Sequence, residues 1–556
     1  ATNTIDIGIA AGRSLSVTGN VNVEGTIDGA TAGVGILIAG HSSTIEIKNS
    51  VGATAALAQV LVTDDTGAIF DGNITSTLLS ATGTTTVAGN VIANVQVLDN
   101  AFTHSVATAN KTITGTISEV TATSSVLIFV NSASDALIKS TVTGTVVADA
   151  AEVGTTTIGG SLLLNSNTTI TDLDIVGGNN TAEASQVEFK GNLISTTGIS
   201  MDDNSAVTKL IASGTAAQTV TGVVNGIGAG QGTVKVTNTH ASGVTFASAV
   251  GTTALLSADI DTVATFAGAL GAVTINNSGT MIVTGAAAGT TATITTGTST
   301  FTSTLISPTV TASAGTAIFN GKITATTGLI VAGANTVVTI AGAASDMGEL
   351  DITLGTVKID IKANDIGGLD LNSGKIEIAK TIVTGDVVFA TSGQALGGIA
   401  AAGKIYMPIT LKSGGVLKLL DDAGINAATA AAVEAVVVDN AVIDYVASKA
   451  AQDISVTANI KSASTIGTEL GLTANEGGAL AQAFAAVQGT SAEEDEFYNS
   501  FNAFGGRTAT SDTDLAAHIS PQLDASSGSS TATRAVTGSV QGIVSNRMAS
   551  LRSGDA

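Results

Sequence analysis

The sequence predicts an all-β chain: a long right-handed parallel β-helix that ends in a small α-helical region. Three observations carry this expectation. Short apolar–polar alternating runs fill residues 1 to about 465 with scarcely a helical stretch. A corner-like segment recurs, with two of its copies 17 residues apart, Gly72 and Gly89. The chain is 44% hydrophobic yet only 3% aromatic, a composition suited to a narrow core of aliphatic side chains.

The strands come first. "NTIDIGI", "STIEIKN", "TVKVTN", "VKIDIKA" and "KIEIAKTIVTGDVVF" each alternate β-branched or apolar residues with polar ones. Such period-2 runs place one set of side chains on each face of a strand. The runs are short, and Gly, Asn, Asp and Ser separate them. A sandwich of this type usually ends within ~100 to 250 residues, whereas here the pattern continues for more than four hundred.

The corners come second. "LSVTGNV" (15–21), "GAIFDGNI" (67–74), "TTTVAGNV" (84–91), "QVEFKGNL" (186–193) and "TAIFNGKI" (316–323) share one plan. Each closes an alternating run with Phe or Val, then gives a spacer, Gly, a polar residue and an aliphatic. Gly19 to Gly72 and Gly89 to Gly191 fit several steps of the same size, and Gly321 and Gly385 keep the pattern less regularly. A repeat near 17 to 20 residues holding three short strands is one turn of a solenoid, and about 24 such turns fit before residue 465. In "TAIFNGKI", one phase points Ile318 out and Phe319 in, with Gly321 turning the corner at positive φ, Lys322 facing water and Ile323 returning to the core, while the alternation allows the opposite phase as well. The open ends of such a coil require caps.

Near residues 424–436 an Ala-rich stretch predicts a helical insertion, and "AVVVDNAVIDYV" after it returns to strand. Residues 466–556 read as mostly helical. Asn475 is placed to cap a helix carrying Leu480, Phe484 and Val487. Ser491 and Glu494 have capping-box spacing, with Phe497, Phe501 and Phe504 on one face. "SDTDLAAHI" predicts a further helix stopped by Pro521, and Val536, Val540, Ile543, Val544, Met548 and Leu551 form a last apolar stripe.

Charge and composition exclude several functions. Twenty-one Lys and Arg stand against 44 Asp and Glu, a formal charge of -23. Nucleic acid binding needs a basic surface, so no nucleic-acid partner is expected. With no Cys, neither a disulfide framework nor a thiolate metal site can form, a usage that fits an exported bacterial protein. No run reaches the ~20 apolar residues of a membrane helix. "ATNTIDIGIA" begins directly in strand pattern, as expected of a mature or excised segment.

Two regions resemble the passenger domains of bacterial autotransporters. One is the long Gly/Asn/Thr-rich strand region. The other is the tail, with its "LTAN" helix start, "LAAHISP" from Leu515 to Pro521, and "RMASLR" from Arg547 to Arg552. The tail looks like the segment joining a passenger to its outer-membrane β-barrel translocator. Within that group, "GTAIFNGKI" and "ATGTTTVAGNVIA" are similar to rickettsial and other α-proteobacterial surface antigens. The resemblance implies a Gram-negative surface protein, anchored at or released from the outer membrane, that forms a surface layer or acts as an adhesin. It divides the chain into a passenger rod, 1–465, and a junction, 466–556. Its implied partners are the barrel, further copies of itself, and a host or matrix ligand. A self-assembling filament or lattice subunit and a carbohydrate-active enzyme on the same scaffold are the alternatives.

Motifs for chemistry are sparse. "GAGQG" (228–232) has no following Lys-Ser/Thr and no helix start, so it predicts a turn and not a phosphate loop. His41, His104, His240 and His518 are isolated from one another and are expected in loops or on the surface. Asp64–Asp65, Asp202–Asp203 and Asp421–Asp422 are neighbours in sequence, which on a strand sends the two side chains to opposite faces. The Gly-Asp-Ser-Gly context of passenger serine proteases is missing: "TGDVV" lacks the Ser. Accordingly no catalytic, cofactor-binding or metal-ligating residue is assigned and no enzymatic activity is expected, although an isolated Ca²⁺ site stays open.

Overall fold

A computed structural model describes residues 4–7, 13–40, 42–63, 67–120, 125–131, 138–179, 184–203, 207–391, 398–421, 427–450, 453–487, 494 and 544–545. The chain is 52% strand and 7% helix, and it forms a parallel β-solenoid of about 16 turns with a few short helices near the C-terminus. It separates into two compact units, residues 1–310 with 315–317, and residues 311–314 with 318–556.

In the first unit files of inward residues sit on their counterparts one turn away. Ile74 pairs in parallel register with Val91, Val91 with Ile113, Ile113 with Val142 and Val142 with Leu164. A second file runs Phe70, Val87, His104, Phe129, Val153. A third runs Phe246, Phe266, Val283, Phe301. All these side chains are buried, while most of their sequence neighbours are at least partly exposed, Val130 beside Phe129 being a buried exception. The second unit repeats the arrangement, with files Val331–Ile352–Leu371 and Ile340–Ile359–Ile378. Since a strand's period is 2, keeping this register keeps the whole apolar set inside.

The number of turns corrects the sequence expectation of about 24. Some rungs are as short as predicted, such as Thr85 to Phe102. Others are far longer, such as Lys111 to Ser140 and Ile405 to Val437. Stacking fixes the strands but leaves the corners free to hold extra residues, so a period measured at two adjacent corners underestimates the mean turn.

The corner glycines also work differently from expectation. Gly19 and Gly385 take positive φ, but Gly72, Gly89, Gly191 and Gly321 do not, against the expectation for Gly321. For Gly72, Gly89 and Gly191 the constraint is contact. A Cβ on Gly89 would lie 2.2 Å from the carbonyl oxygen of Gly72, and one on Gly72 would lie 2.4 Å from the carbonyl carbon of Asn49. The backbones of successive corners touch, leaving no room for a side chain. The polar residue after the glycine is not simply solvated either. Asn73 Oδ1 accepts from the Asn90 backbone N–H at 2.8 Å, and Asn90 Oδ1 accepts from Thr112 N–H at 2.8 Å. Asn167, Asn192 and Thr219 repeat the relay at 2.9 Å. Backbone groups that a corner removes from the strand ladder thus find side-chain acceptors on the adjacent rung. In "TAIFNGKI", Phe319 and Ile323 are buried and Ile318 is only half-buried, the first of the two phases the alternation allows.

The core holds more rings than a narrow aliphatic prism suggests. All ten Phe among the described residues, from Phe70 to Phe484, are fully buried. Phe246 and Phe266 stack with centroids 4.9 Å apart and planes 4° from parallel. The rung spacing of ~4.8 Å brings identical rings in register to stacking distance.

The second unit ends with a change of topology. The strand Val416–Asp421 pairs antiparallel with Asp453–Ile460, which pairs antiparallel with Ile443–Ala450. The helix α1, Ala427–Glu434, matches the predicted insertion. The helix α2, Ala463–Leu470, starts three residues before the region expected to be helical and begins after Ser462, whose hydroxyl accepts from Thr465 N–H. In α3, Ala474–Ala486, the cap is Thr473 and not Asn475: Thr473 and Glu476 form a reciprocal capping box. Leu480 and Phe484 are buried as expected, and Val487 is the C-terminal cap. The Ser491 cap, the 497–504 aromatic face, the "SDTDLAAHI" helix and nearly all of the final apolar stripe lie outside the described residues.

Gly89→Ala should destabilise its rung by roughly 2 kcal/mol through overpacking, and Asn90→Ala by roughly 1 kcal/mol through loss of the Thr112 acceptor. Amide exchange at Val91 and Thr112 reads both, with the larger acceleration, about 30-fold, expected for Gly89→Ala.

Candidate functional site

Outward-facing charges are the most distinctive chemistry of the described surface. In the first unit Glu152 and Asp174 stand opposite each other on adjacent rungs, and Asp172 follows Asp174's face two residues earlier. Asp149 lies close by, its backbone N–H donating to the Glu119 carboxylate, while Asp174 accepts from the Ser200 hydroxyl. Burial, then the neighbouring Asp174, pushes the Glu152 carboxyl up. Burial, then Asp174 and Asp149, does the same to Asp172. Stacking places carboxylates only a rung apart, so each raises the cost of ionising the next. This strip is an anionic flank.

Elsewhere the flanks are mixed. Lys139 Nζ lies 2.8 Å from Glu188 Oε2, and Ser213 donates to the same carboxylate at 2.7 Å. Burial pushes the Glu188 carboxyl up, but Lys139 and Ser213 outweigh it and hold it below its usual range. In the second unit Glu377 lies between Lys358 on one rung, 3.5 Å away, and Tyr406 on the next. Burial raises Glu377 despite Lys358, and burial with Glu377 raises Tyr406. Asp351 and Asp370 also stack in register, and burial followed by Asp351 raises Asp370. No group of three or more His, Asp or Glu suited to a metal ion occurs among the described residues.

The residues singled out from sequence do not converge. "GAGQG" is a turn: Gly228 N–H donates to Gln231 Oε1 at 2.6 Å, Gly230 and Gly232 take positive φ, and a strand, Thr233–Val236, follows. Asp202 meets Gln231 Nε2 at 3.3 Å, whereas Asp203 accepts from the Thr208 N–H and hydroxyl. Asp421 is ion-paired with Lys418 at 3.5 Å. Asp64, Asp65, Asp422, His41 and His518 lie outside the described residues. His240 Nδ1 accepts from Ser242 N–H in a local turn.

His104 overturns the expectation of a loop or surface position. It occupies an inward position of a core file, fully buried, edge-on to Phe129. Its Nε2 is 3.1 Å from the Gly89 carbonyl and its Nδ1 is 2.7 Å from Ser140 Oγ. A carbonyl only accepts, so Nε2 carries the proton, and the neutral Nδ1 accepts from the Ser140 hydroxyl. Burial drives its pKa down to about 4. The alternation around "AFTHSV" signalled this: His104 shares the inward phase with Phe102 and Val106. Ser140 comes from a distant stretch of sequence and had no local signal.

No family model, curated protein or solved structure matches the chain.

With a folded pKa near 4 and an unfolded value of 6.5, His104 binds fewer protons in the folded chain between those limits. Its contribution is therefore complete above pH 6.5 and is lost as pH falls toward 4, by roughly 3 kcal/mol. Local unfolding of the 85–106 rungs, followed by amide exchange from pH 7 to 4, should show this slope, and His104→Gln should flatten it.

Proposed function

We propose that this chain is a non-enzymatic structural and adhesive protein of the bacterial cell surface, an exported passenger of the autotransporter type that coats the cell or adheres through its flanks. The observation carrying the reading is the regularity of the outward faces. In the first unit Thr219, Thr245, Thr265, Ile282 and Thr300 stack one per rung in unbroken register, all at least partly exposed. Such a file presents four threonine hydroxyl and methyl groups, interrupted by the Ile282 side chain, at a constant repeat. Each contact is weak, but many act together when the opposing surface has a matching repeat or many copies of one ligand. The acidic strip beside Glu152 and Asp174 adds selectivity toward basic or cation-bridged surfaces. The junction-like tail and the lack of Cys support export to an envelope.

The test is labelling of intact cells with antibody to the purified chain, together with electron microscopy of the cell envelope. Surface label on unpermeabilised cells, with a continuous coat or clustered projections, is expected. Label that appears only after permeabilisation would overturn the reading. Beads carrying the chain should also bind matrix or host surfaces in a way that weakens when Thr245, Thr265 and Thr300 are changed together to Lys.

A further inference from the structure

We propose that the outer edge of the strand Ile443–Ala450 is a latched strand-pairing site for a second copy of this chain, held shut by Glu434, Asp439 and Asn440. The strand pairs on one side with Asp453–Ile460. Lys461 N–H donates to the Val442 carbonyl at 2.8 Å, so even-numbered residues face that partner and Ile443, Tyr445, Ala447 and Lys449 face the other edge. On that edge, side chains stand where a strand would. Asn440 Oδ1 accepts from Ile443 N–H, Asp439 Oδ1 from Tyr445 N–H at 2.8 Å, and the Glu434 carboxylate from Ala447 N–H. Three successive edge donors are thus occupied by three acceptors drawn from the end of α1 and the segment after it.

Asn440 is buried and anchors the turn, but Glu434 and Asp439 differ from a strand in one respect: a side-chain plug can be withdrawn without removing a neighbouring strand. Glu434 is exposed at the helix end, and Asp439 is shared with Lys461, 3.7 Å away, which is itself drawn to Glu469 at 2.8 Å. With Asp439 and Glu434 withdrawn, the N–H groups of Tyr445 and Ala447 are released on the outer edge beside Lys449, enough to start a short antiparallel addition.

The occupant that fits is the same strand from another copy. A two-fold axis at Ala447 sets Ala447 opposite itself as a hydrogen-bonded pair and Tyr445 opposite Lys449. Asp444 then falls opposite Ala450, so no like charges face each other across the pair. One edge on each copy closes the assembly at two. This inference does not depend on where the protein resides.

The experiment uses the full chain at physiological salt and neutral pH, with light scattering after size exclusion. Wild type should run at its monomer mass of 54.2 kDa. Glu434→Ala with Asp439→Ala should double that mass, and adding Ala447→Pro should return it to monomer, because Pro removes an edge donor without touching the inner pairing. Glu434→Ala alone, which leaves buried groups in place, should raise amide exchange at Ala447 more than tenfold when dilute and restore protection on concentration. A double variant that stays monomeric, association insensitive to Ala447→Pro, or an Ala447 amide whose exchange ignores Glu434 would each overturn the proposal.

Discussion

The parallel hydrogen-bond ladder between successive rungs is the constraint on which everything else in this chain depends. No short strand here is stable alone; each has its N–H and C=O groups satisfied by the turn before and the turn after. Register follows from this, because a slip by one residue would turn Ile74, Val91 and Ile113 out to water together. Like then stacks on like. Phenylalanines in register become stacked rings, carboxylates in register become an anionic strip, and threonines in register become a hydroxyl file. The corners obey the same rule: Gly89 is glycine because Gly72 is directly beside it, and Asn90 accepts from the next rung as Asn73 does from its own.

The parts of this arrangement that were legible in the sequence were those that repeat locally. Alternation in "TAIFNGKI" narrowed the strand to two phases, of which the one with Phe319 and Ile323 inward is observed, and the Ala-rich run indicated α1. What stayed hidden depends on residues far apart in the chain. The length of a turn is set by corner insertions that no local period records, as between Ile405 and Val437. The corner asparagines looked solvated because their donors lie about a turn away. His104 was read by its chemistry and not by its phase, and its partner Ser140 stands on another rung. The antiparallel close was equally invisible, since a parallel and an antiparallel strand share one alternation. For the surface, the sequence supplied the ingredients but not their files: Glu152 and Asp174 became neighbours only through stacking.

Function on such a scaffold is a matter of repetition on flat faces. A stacked ladder brings side chains from adjacent rungs close in pairs and short rows, and these rows here are acidic, mixed or hydroxylated by stretch. Glu377, placed between Lys358 and Tyr406, is one mixed group, and its ion pair with Lys358 reads as ladder stabilisation across adjacent rungs. The two kinds of edge are managed differently. Along the coil each edge is covered by the next rung, whereas the final antiparallel strand is covered by side chains. That difference separates the surface for which we propose many weak contacts from the edge for which we propose one specific pair.

The rung as the unit of stability is tested most directly by removing one. Val263 and Thr280 stand in register on adjacent rungs, so deleting residues 263–279 removes one complete turn and lets Thr280–Val283 take the place of Val263–Phe266. The measurement is thermal unfolding of that chain beside one lacking only residues 263–270, which breaks the register. If rung-to-rung stacking governs the fold, the full-turn deletion melts within about 3 °C of wild type and the half-turn deletion melts more than about 10 °C lower. Equal losses from both deletions would contradict the account.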